Sequence, residues 1–378
     1  MEKSKILFVL DDDILNSHHG VRRYALSLAE ALGVNYEVEF YIQRRIASAE
    51  LYFKVVFNSE FILNNGFFSN YLVGTTKDAI IKSIISNKYK NKTESLRALY
   101  TTTFVGNKLP NNYCLVIVAA PWIIVKKELF DCKVTCIGLD AIPNIYSLHN
   151  ITDKKLREFA WRHQQGFNHY DLILAISEDS KNQISYFCPD STVVIALPPF
   201  NPSGFNGINT ASIEKRPKSI ILAAPFDERK GLQFMPDIIN NSDAESLIIY
   251  GGVRCSIDSL LGFFKSLNLN NVEWWYSVTT RKQIEIYSQA SLLLFPSLKE
   301  GLGLPVLESL ACNTPAFVSD IEPVNTLVPE EYVIDAKDYL SVASAINAEI
   351  NSDMRNEKLN QIWQSTKIID LMNNVIKN

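Results

Sequence analysis

Three features of the sequence predict an α/β protein of two domains, each a mostly parallel sheet with helices on its faces. The chain runs to 378 residues, too long for one ordinary domain and comfortable for two. Residues 198–217, PPFNPSGFNGINTASIEKRP, hold four prolines and two glycines among small polar residues, which is the composition of a domain boundary. On either side, short apolar runs of strand length alternate with stretches of helical periodicity. The first domain is then 1–197, the linker 198–217 and the second domain 218–356, with 357–378 as a separate terminal helix.

The chain is 47% hydrophobic and 21% charged, a globular balance. Its net charge of −4 comes without a block of like charge that would suit nucleic acid. No apolar run approaches the roughly 18 residues that a membrane span needs. The opening MEKSKILFVL leads straight into a strand, with an apolar run too short for a signal peptide and no small-residue cleavage site after it. Six cysteines are scattered, with no C-x-x-C pair and no histidine at zinc spacing. Cys114, Cys136 and Cys312 lie in apolar stretches and read as buried thiols, so a reduced, cytoplasmic setting is the simplest reading.

Lys5 to Leu10 is the first strand, followed by Asp11, Asp12 and Asp13. Val21, Tyr24, Ala25, Leu28, Ala29 and Leu32 form one helical face that ends at Gly33. Gly20 therefore lies at a helix start beside the end of the first strand, where an open α/β sheet binds ligands. His18 and His19 read as loop residues. Val34 to Ile42 reads as the second strand. Residues 43–110 show little pattern beyond an apolar helix at Ala79 to Ile85. Lys82, Lys88, Lys90 and Lys92 make that neighbourhood basic, which fits either a solvated helix face or a contact of residues 77–97 with anionic lipid head groups. Cys114 to Ala120 and Val134 to Leu139 read as buried strands, and Asp153 to Tyr170 as a helix. A strand from Asp171 runs into a helix that Ser177 can cap, and Val193 to Leu197 closes the domain.

Ser219 to Ala224 opens the second domain. Glu245 to Tyr250 follows, with a glycine turn at Gly251 and Gly252. Val272 to Tyr276 is the next strand and Thr279 to Ala290 a helix. The most informative stretch comes next. Ser291 to Phe295 reads as a strand, Pro296 and Ser297 as a turn, and Glu300, Gly301, Leu302 and Gly303 lead to Leu304 and Pro305 at a helix start. Val306, Leu307, Leu310 and Ala311 continue at helical spacing, Asn313 to Pro315 stops the helix, and Ala316 to Ser319 is a further strand. Glu330 to Ile334 reads as the last strand, and the region from about 338 to 378 as amphipathic helices.

A strand, a glycine turn and a helix N-terminus together make an anion site. The first backbone N–H groups of a helix lack intrahelical partners, and the helix dipole favours negative charge there. Gly301 and Gly303 let a ligand approach the backbone. Glu300 and Glu308 flank the site; a carboxylate sits badly against phosphate but accepts hydrogen bonds from sugar hydroxyls. Phosphate donors beside hydroxyl acceptors suit a nucleotide sugar.

The run Pro296, Ser297, Glu300, Gly301, Gly303, Leu304, Pro305, Leu307, Glu308, Ala311, Thr314, Pro315 resembles the signature of retaining glycosyltransferases of the GT-B architecture, family 4 (group 1). Gly20, Arg23 and Tyr24 are similar to that family's N-terminal G-x-x-R-Y stretch. Asp140, Ile142 and Pro143 resemble the H-D-x-I-P stretch of its bacterial O-antigen mannosyl- and rhamnosyltransferase branch. Asp171 to Ser177 resembles a strand-to-helix stretch of the family, and Arg229, Lys230 and Gly231 its diphosphate motif. Two positions depart from the pattern. Leu139 stands where the branch has a histidine lining the sugar pocket, and Pro225 where many members have an arginine.

The resemblance implies two Rossmann-like domains facing a central cleft, with the terminal helix crossing back to the first. Lys230, Arg229, Glu300 and Asp140 are then the catalytic groups. Gly301, Leu302, Gly303, Leu304 and Glu308 hold the donor, with Tyr276, Ser277 and Val278 turning toward the nucleobase. Gly20, Arg23 and Ser177 face the acceptor or the cleft, although helix capping alone also accounts for Ser177 and a helix cap with surface arginines for Gly20 and Arg23. The donor is a nucleotide-diphosphate sugar, mannose or rhamnose favoured. The acceptor is a glycan, on this resemblance a lipid-linked surface polysaccharide, with peripheral contact at the inner membrane face. No cofactor or metal is implied. The D-x-D triplet at 11–13 echoes the metal site of the other glycosyltransferase architecture, but a polar loop is expected there anyway. The alternatives are an inactive GT-B scaffold and a transferase with a small soluble sugar acceptor.

Overall fold

The chain folds into two units, each around its own sheet, with residues 1–65, 96–201 and 364–378 in the first and 66–95 and 202–363 in the second. The computed structural model describes residues 3–16, 19–46, 49–58, 70–90, 99–149, 152–198, 213–350 and 366–377. His18, Lys92, most of the expected linker and residues 351–365 lie outside the described residues.

The first unit holds eight strands. Numbered along the chain, these are β1 (Lys5–Leu10), β2 (Glu37–Ile46), β3 (Ala49–Phe57), β5 (Tyr100–Gly106), β6 (Leu115–Val118), β7 (Lys133–Ile137), β8 (Leu172–Ala175) and β9 (Thr192–Ile195), in the order β5-β3-β2-β1-β6-β7-β8-β9. β1 lies parallel to β2 and β6, and parallel pairing continues through β9. β1 and β6 are continuous apolar runs because both faces of a parallel sheet are covered. β3 and β5 add antiparallel to β2, and β5 has the mixed exposure of an edge. The helices here are α1 (Asp12–Asn16), α2 (His19–Gly33), α4 (Ile142–His149), α5 (Lys154–His169), α6 (Glu178–Phe187) and α12 (Thr366–Lys377). On α12, Asn373 accepts from the Tyr36 hydroxyl at 2.8 Å.

The second unit holds β4 (Tyr71–Thr76), β10 (Ser219–Ala223), β11 (Ser246–Tyr250), β12 (Asn271–Ser277), β13 (Leu292–Phe295), β14 (Ala316–Ser319) and β15 (Val333–Ile334), in the order β15-β14-β13-β10-β11-β12-β4. All but β4 are parallel; β4 runs antiparallel along the outer edge of β12. Its helices are α3 (Lys77–Ile85), α7 (Met235–Asn240), α8 (Ile257–Ser266), α9 (Thr280–Gln289), α10 (Leu304–Ala311) and α11 (Tyr339–Ile350).

Residues 66–95 thus belong to the second unit, although the sequence reading placed everything up to 197 in the first domain. The apolar helix can be read from sequence there, but neither the strand before it nor the sheet that the two complete. β4 covers what would otherwise be an open edge of β12. The segment is fastened by buried Ile80 and Ile84 and by the Lys77 ammonium, which donates to the Leu267 carbonyl at 2.7 Å. Smaller differences follow from local packing. Cys114 is only half-buried, while Cys136 and Cys312 are buried. Glu330–Tyr332 forms a 3-10 turn before the two-residue β15.

Candidate functional site

In the second unit the strand order reverses at β10, whose neighbours are β11 and β13. Ligands of open α/β sheets bind beyond the carboxyl ends of the strands at such a reversal. The segments leaving β10 and β13 meet there. After β10, Asp227 caps the turn Glu228–Lys230, and Gly231 ends it with φ 71°. A Cβ at Gly231 would run into the Pro296 carbonyl, so only glycine lets the two segments pack this closely. Leu298 N–H donates to the Arg229 carbonyl at 2.8 Å, tying the segments together.

This packing puts Lys230 and Glu300 in contact. The Lys230 ammonium donates to Glu300 Oε1, and both residues are buried, 7% and 5% exposed. It also lies 4.7 Å from the centre of the Phe295 ring. Arg229 Nη1 stands 3.7 Å from Glu300 Oε2, while its Nε donates to Asp227 at 3.1 Å. Burial pushes the Lys230 ammonium below its ordinary 10.5, with Glu300 pulling it back up and Arg229 adding to the depression. A buried ion pair rarely repays its desolvation in stability, so its presence at a strand crest points to function.

The expected helix N-terminus is present. Gly303, at φ 93°, is the N-cap of α10, with Pro305 in the first turn. Glu308, 1% exposed, lies on the second turn. Its Oε2 accepts from Gln283 and, more loosely, from the Tyr287 hydroxyl at 3.3 Å and the Tyr250 hydroxyl at 3.4 Å. Gln283, Tyr287 and Tyr250 were not picked from the sequence; Gln283 and Tyr287 sit one turn apart on α9, a spacing that could have flagged a shared polar face. Gly301, Leu302 and Leu304 occupy the turn and helix start between Glu300 and Glu308. Tyr276, Ser277 and Val278 lie at the carboxyl end of β12, Tyr276 half-buried and the other two buried. β12 is two strands from β10, about 10 Å at ordinary strand spacing.

In the first unit, Gly20, Asp140 and Ser177 follow β1, β7 and β8, so they share one sheet edge. Gly20 is exposed in the first turn of α2 and Arg23 is half-buried on it. Tyr24 is buried, and its hydroxyl donates to the Ala196 carbonyl at 2.7 Å. Arg22 is the buried arginine, donating to the Leu15 carbonyl. It lies at i, i+3, i+7 with Ala25 and Ala29, a spacing that could have shown it faces inward. Asp140 accepts from Ile142 N–H at 3.0 Å, and Ser177 caps α6 by accepting from Ser180 N–H at 3.1 Å. The departures Leu139 and Pro225 are half-buried and buried. The aspartate triplet is split up: Asp12 pairs with Arg44 at 2.7 Å, and Asp11 accepts from the Trp122 indole at 2.7 Å. Among the described residues no group of three histidine, cysteine or carboxylate side chains could hold a metal ion.

Residues 211–367 match the family model of glycosyl transferases group 1. The O-antigen chain mannosyltransferase RfbU of Salmonella typhimurium is 31% identical over 122 residues, 31% of this chain and 35% of that protein. The serotype-specific mannosyltransferase WbdA of Escherichia coli is 25% identical over 216 residues, 52% of this chain and 26% of that protein. The match therefore spans about a third or less of the length of these relatives. In structure, sucrose-phosphate synthase from Thermosynechococcus elongatus aligns over 99% of this chain and 100% of its own, with a TM-score of 0.56 at 13% identity. That likeness shows the fold, which is GT-B. The family read from the motifs is the one whose model the second half matches.

Proposed function

We propose that this chain, a group 1 glycosyltransferase in its second half, moves a sugar from a nucleotide-diphosphate donor to a glycan acceptor and retains the anomeric configuration. The observation that carries this reading is the buried Lys230–Glu300 contact at the strand reversal beside the N-terminus of α10. A cation at the start of a helix suits a diphosphate, and the carboxylate beside it suits a sugar. Arg229, Lys230 and the helix N-terminus take up charge as the diphosphate leaves, supplying the positive charge that other reactions draw from a metal ion. Glu300 accepts from donor-sugar hydroxyls and faces the oxocarbenium-like carbon. Glu308 accepts from the ribose, and the turn at Tyr276–Val278, which ends a strand of the same parallel sheet as β10 and β13, meets the nucleobase. The leaving phosphate takes the acceptor's proton. Gly20, Arg23 and Asp140 are the groups of the first unit that meet the acceptor, while Ser177 caps α6 at the same sheet edge.

The names of the relatives support mannose as the sugar and an O-antigen chain as the glycan; rhamnose as the other candidate sugar and a lipid-linked acceptor rest on the motif resemblance alone. Six free cysteines suit a reducing, cytoplasmic setting. Among the described residues no helix is long and apolar enough to cross a membrane; exposed Lys82, Lys88 and Lys90 are the groups proposed to meet anionic head groups.

The test is a thermal-shift screen with UDP, GDP and dTDP and their sugar conjugates, without added metal. A donor in excess over its Kd raises the melting temperature, about 2.7 kcal/mol of stabilisation at a hundredfold excess. Stabilisation by one nucleotide, lost in Lys230→Ala, is the expected result. A chain indifferent to all of them is not this enzyme.

A further inference from the structure

The segment that reaches the second sheet from the first half of the chain also holds the turn proposed to meet the nucleobase. β4 brings Tyr71 opposite Ser277. Just before it, the exposed Asn70 accepts the Thr279 N–H through Oδ1 at 2.8 Å. The Tyr71 ring meets Tyr276 edge-on with centroids 6.3 Å apart, and Tyr89 approaches the same ring at 6.3 Å. The Tyr71 hydroxyl donates to the Lys88 carbonyl at 3.0 Å, which fixes that ring in turn. Gly252, at the end of β11, is placed so that a Cβ there would lie 3.5 Å from the tip of Tyr276. Tyr276 therefore has aromatic rings of residues 71 and 89 and the Gly252 backbone around it, and the next residues of the turn are pinned by Asn70.

Backbone groups in a turn can select a base only if the turn is held still, because discrimination comes from leaving a mismatched donor or acceptor unpaired. We propose that Asn70 and Tyr71 are positioning residues for base selection: they hold the Ser277–Thr279 turn in the register that accepts one nucleobase of a nucleoside-diphosphate donor. The inference rests on the reading above that this turn faces the base.

Calorimetric titration of the full chain with GDP, UDP, dTDP and inorganic diphosphate tests it. In Asn70→Ala the preferred nucleotide weakens about tenfold, the loss of one hydrogen bond's worth of placement, and its preference over the others narrows. Inorganic diphosphate, which meets only Arg229, Lys230 and the helix N-terminus, binds as before. Asn70→Asp, which keeps an acceptor oxygen, restores the preference. Equal weakening of all four ligands, or a preference unchanged from the parent, overturns the proposal. Tyr71→Leu carries the same expectation should Asn70→Ala fail to fold. A parent chain that binds none of the nucleotides defeats the functional reading as well, whereas a parent without base preference, or equal selectivity in parent and variants, defeats only this one.

Discussion

The two sheets end in crests of similar layout, but their polar residues are used differently. At the crest of the first unit, Asp140 and Ser177 accept backbone N–H groups at helix starts, and Tyr24 binds a backbone carbonyl. These contacts satisfy the chain's own main-chain groups, as any helix start requires. At the crest of the second unit, Lys230, Arg229 and Glu300 face one another, and Glu308 takes hydrogen bonds from side chains of β11 and α9. Charges gathered and buried in this way do little for the fold and a great deal for a charged ligand. A family motif alone does not separate the two cases; the partner of each polar atom does.

Substitutions sharpen that contrast. The largest effect is expected for Lys230→Ala. Transfer should fall by about a hundred- to a thousandfold in kcat/KM, as for loss of one well-placed charge-stabilising donor. The melting temperature should also drop, because Glu300 is left buried without its main partner, at a cost of about 3–5 kcal/mol. Near-normal turnover in this variant would erase the distinction between the crests.

Changing pH should produce two opposite trends at the same lysine. Its native pKa is depressed mainly by burial, so between that value and the unfolded 10.5 the native state binds fewer protons than the unfolded chain. The contribution to stability is complete above 10.5 and is lost as pH falls through the native value. Donor affinity runs the other way and weakens as pH rises through it, since the ammonium is needed for the diphosphate. Melting curves and donor titrations across the alkaline range should diverge, and parallel curves would show that Lys230 does not meet the donor. The smallest effect is expected for Ser177→Ala: about 1 kcal/mol of stability from the lost cap, with kcat/KM within about threefold of the parent. A large loss of turnover there, with stability intact, would make the first crest catalytic in the same sense as the second.

The parts legible in the sequence are those whose partners are close along the chain or carry unusual residue types. β13, Gly303, Pro305 and α10 fall in one stretch, with strand, turn and helix signals in succession. Lys230 and Glu300 are 70 residues apart, and only their motifs linked them before the structure did. β3 and the edge strand β5 are not legible, because both are half-exposed antiparallel strands with no glycine-rich turn to announce them. The placement of residues 70–90 was out of reach for another reason. Tyr71 and Ser277 pair across 206 positions of sequence, and nothing in YLVGTT names its partner. Arg22 is legible in the sequence, since its spacing with Ala25 and Ala29 sets it on the inward face.

The position of β4 also sets an order of events during synthesis. The strand leaves the ribosome with Tyr71, while the edge that it pairs with ends at Ser277. At roughly 5–20 residues per second, on the order of ten seconds or more pass before that edge exists. During that interval the nascent first half can complete β1–β3 and β5–β9 but must carry an unpaired strand and its apolar helix in waiting. A growing chain of this kind is a natural client for holding chaperones, and slower translation over the second half lengthens its exposure.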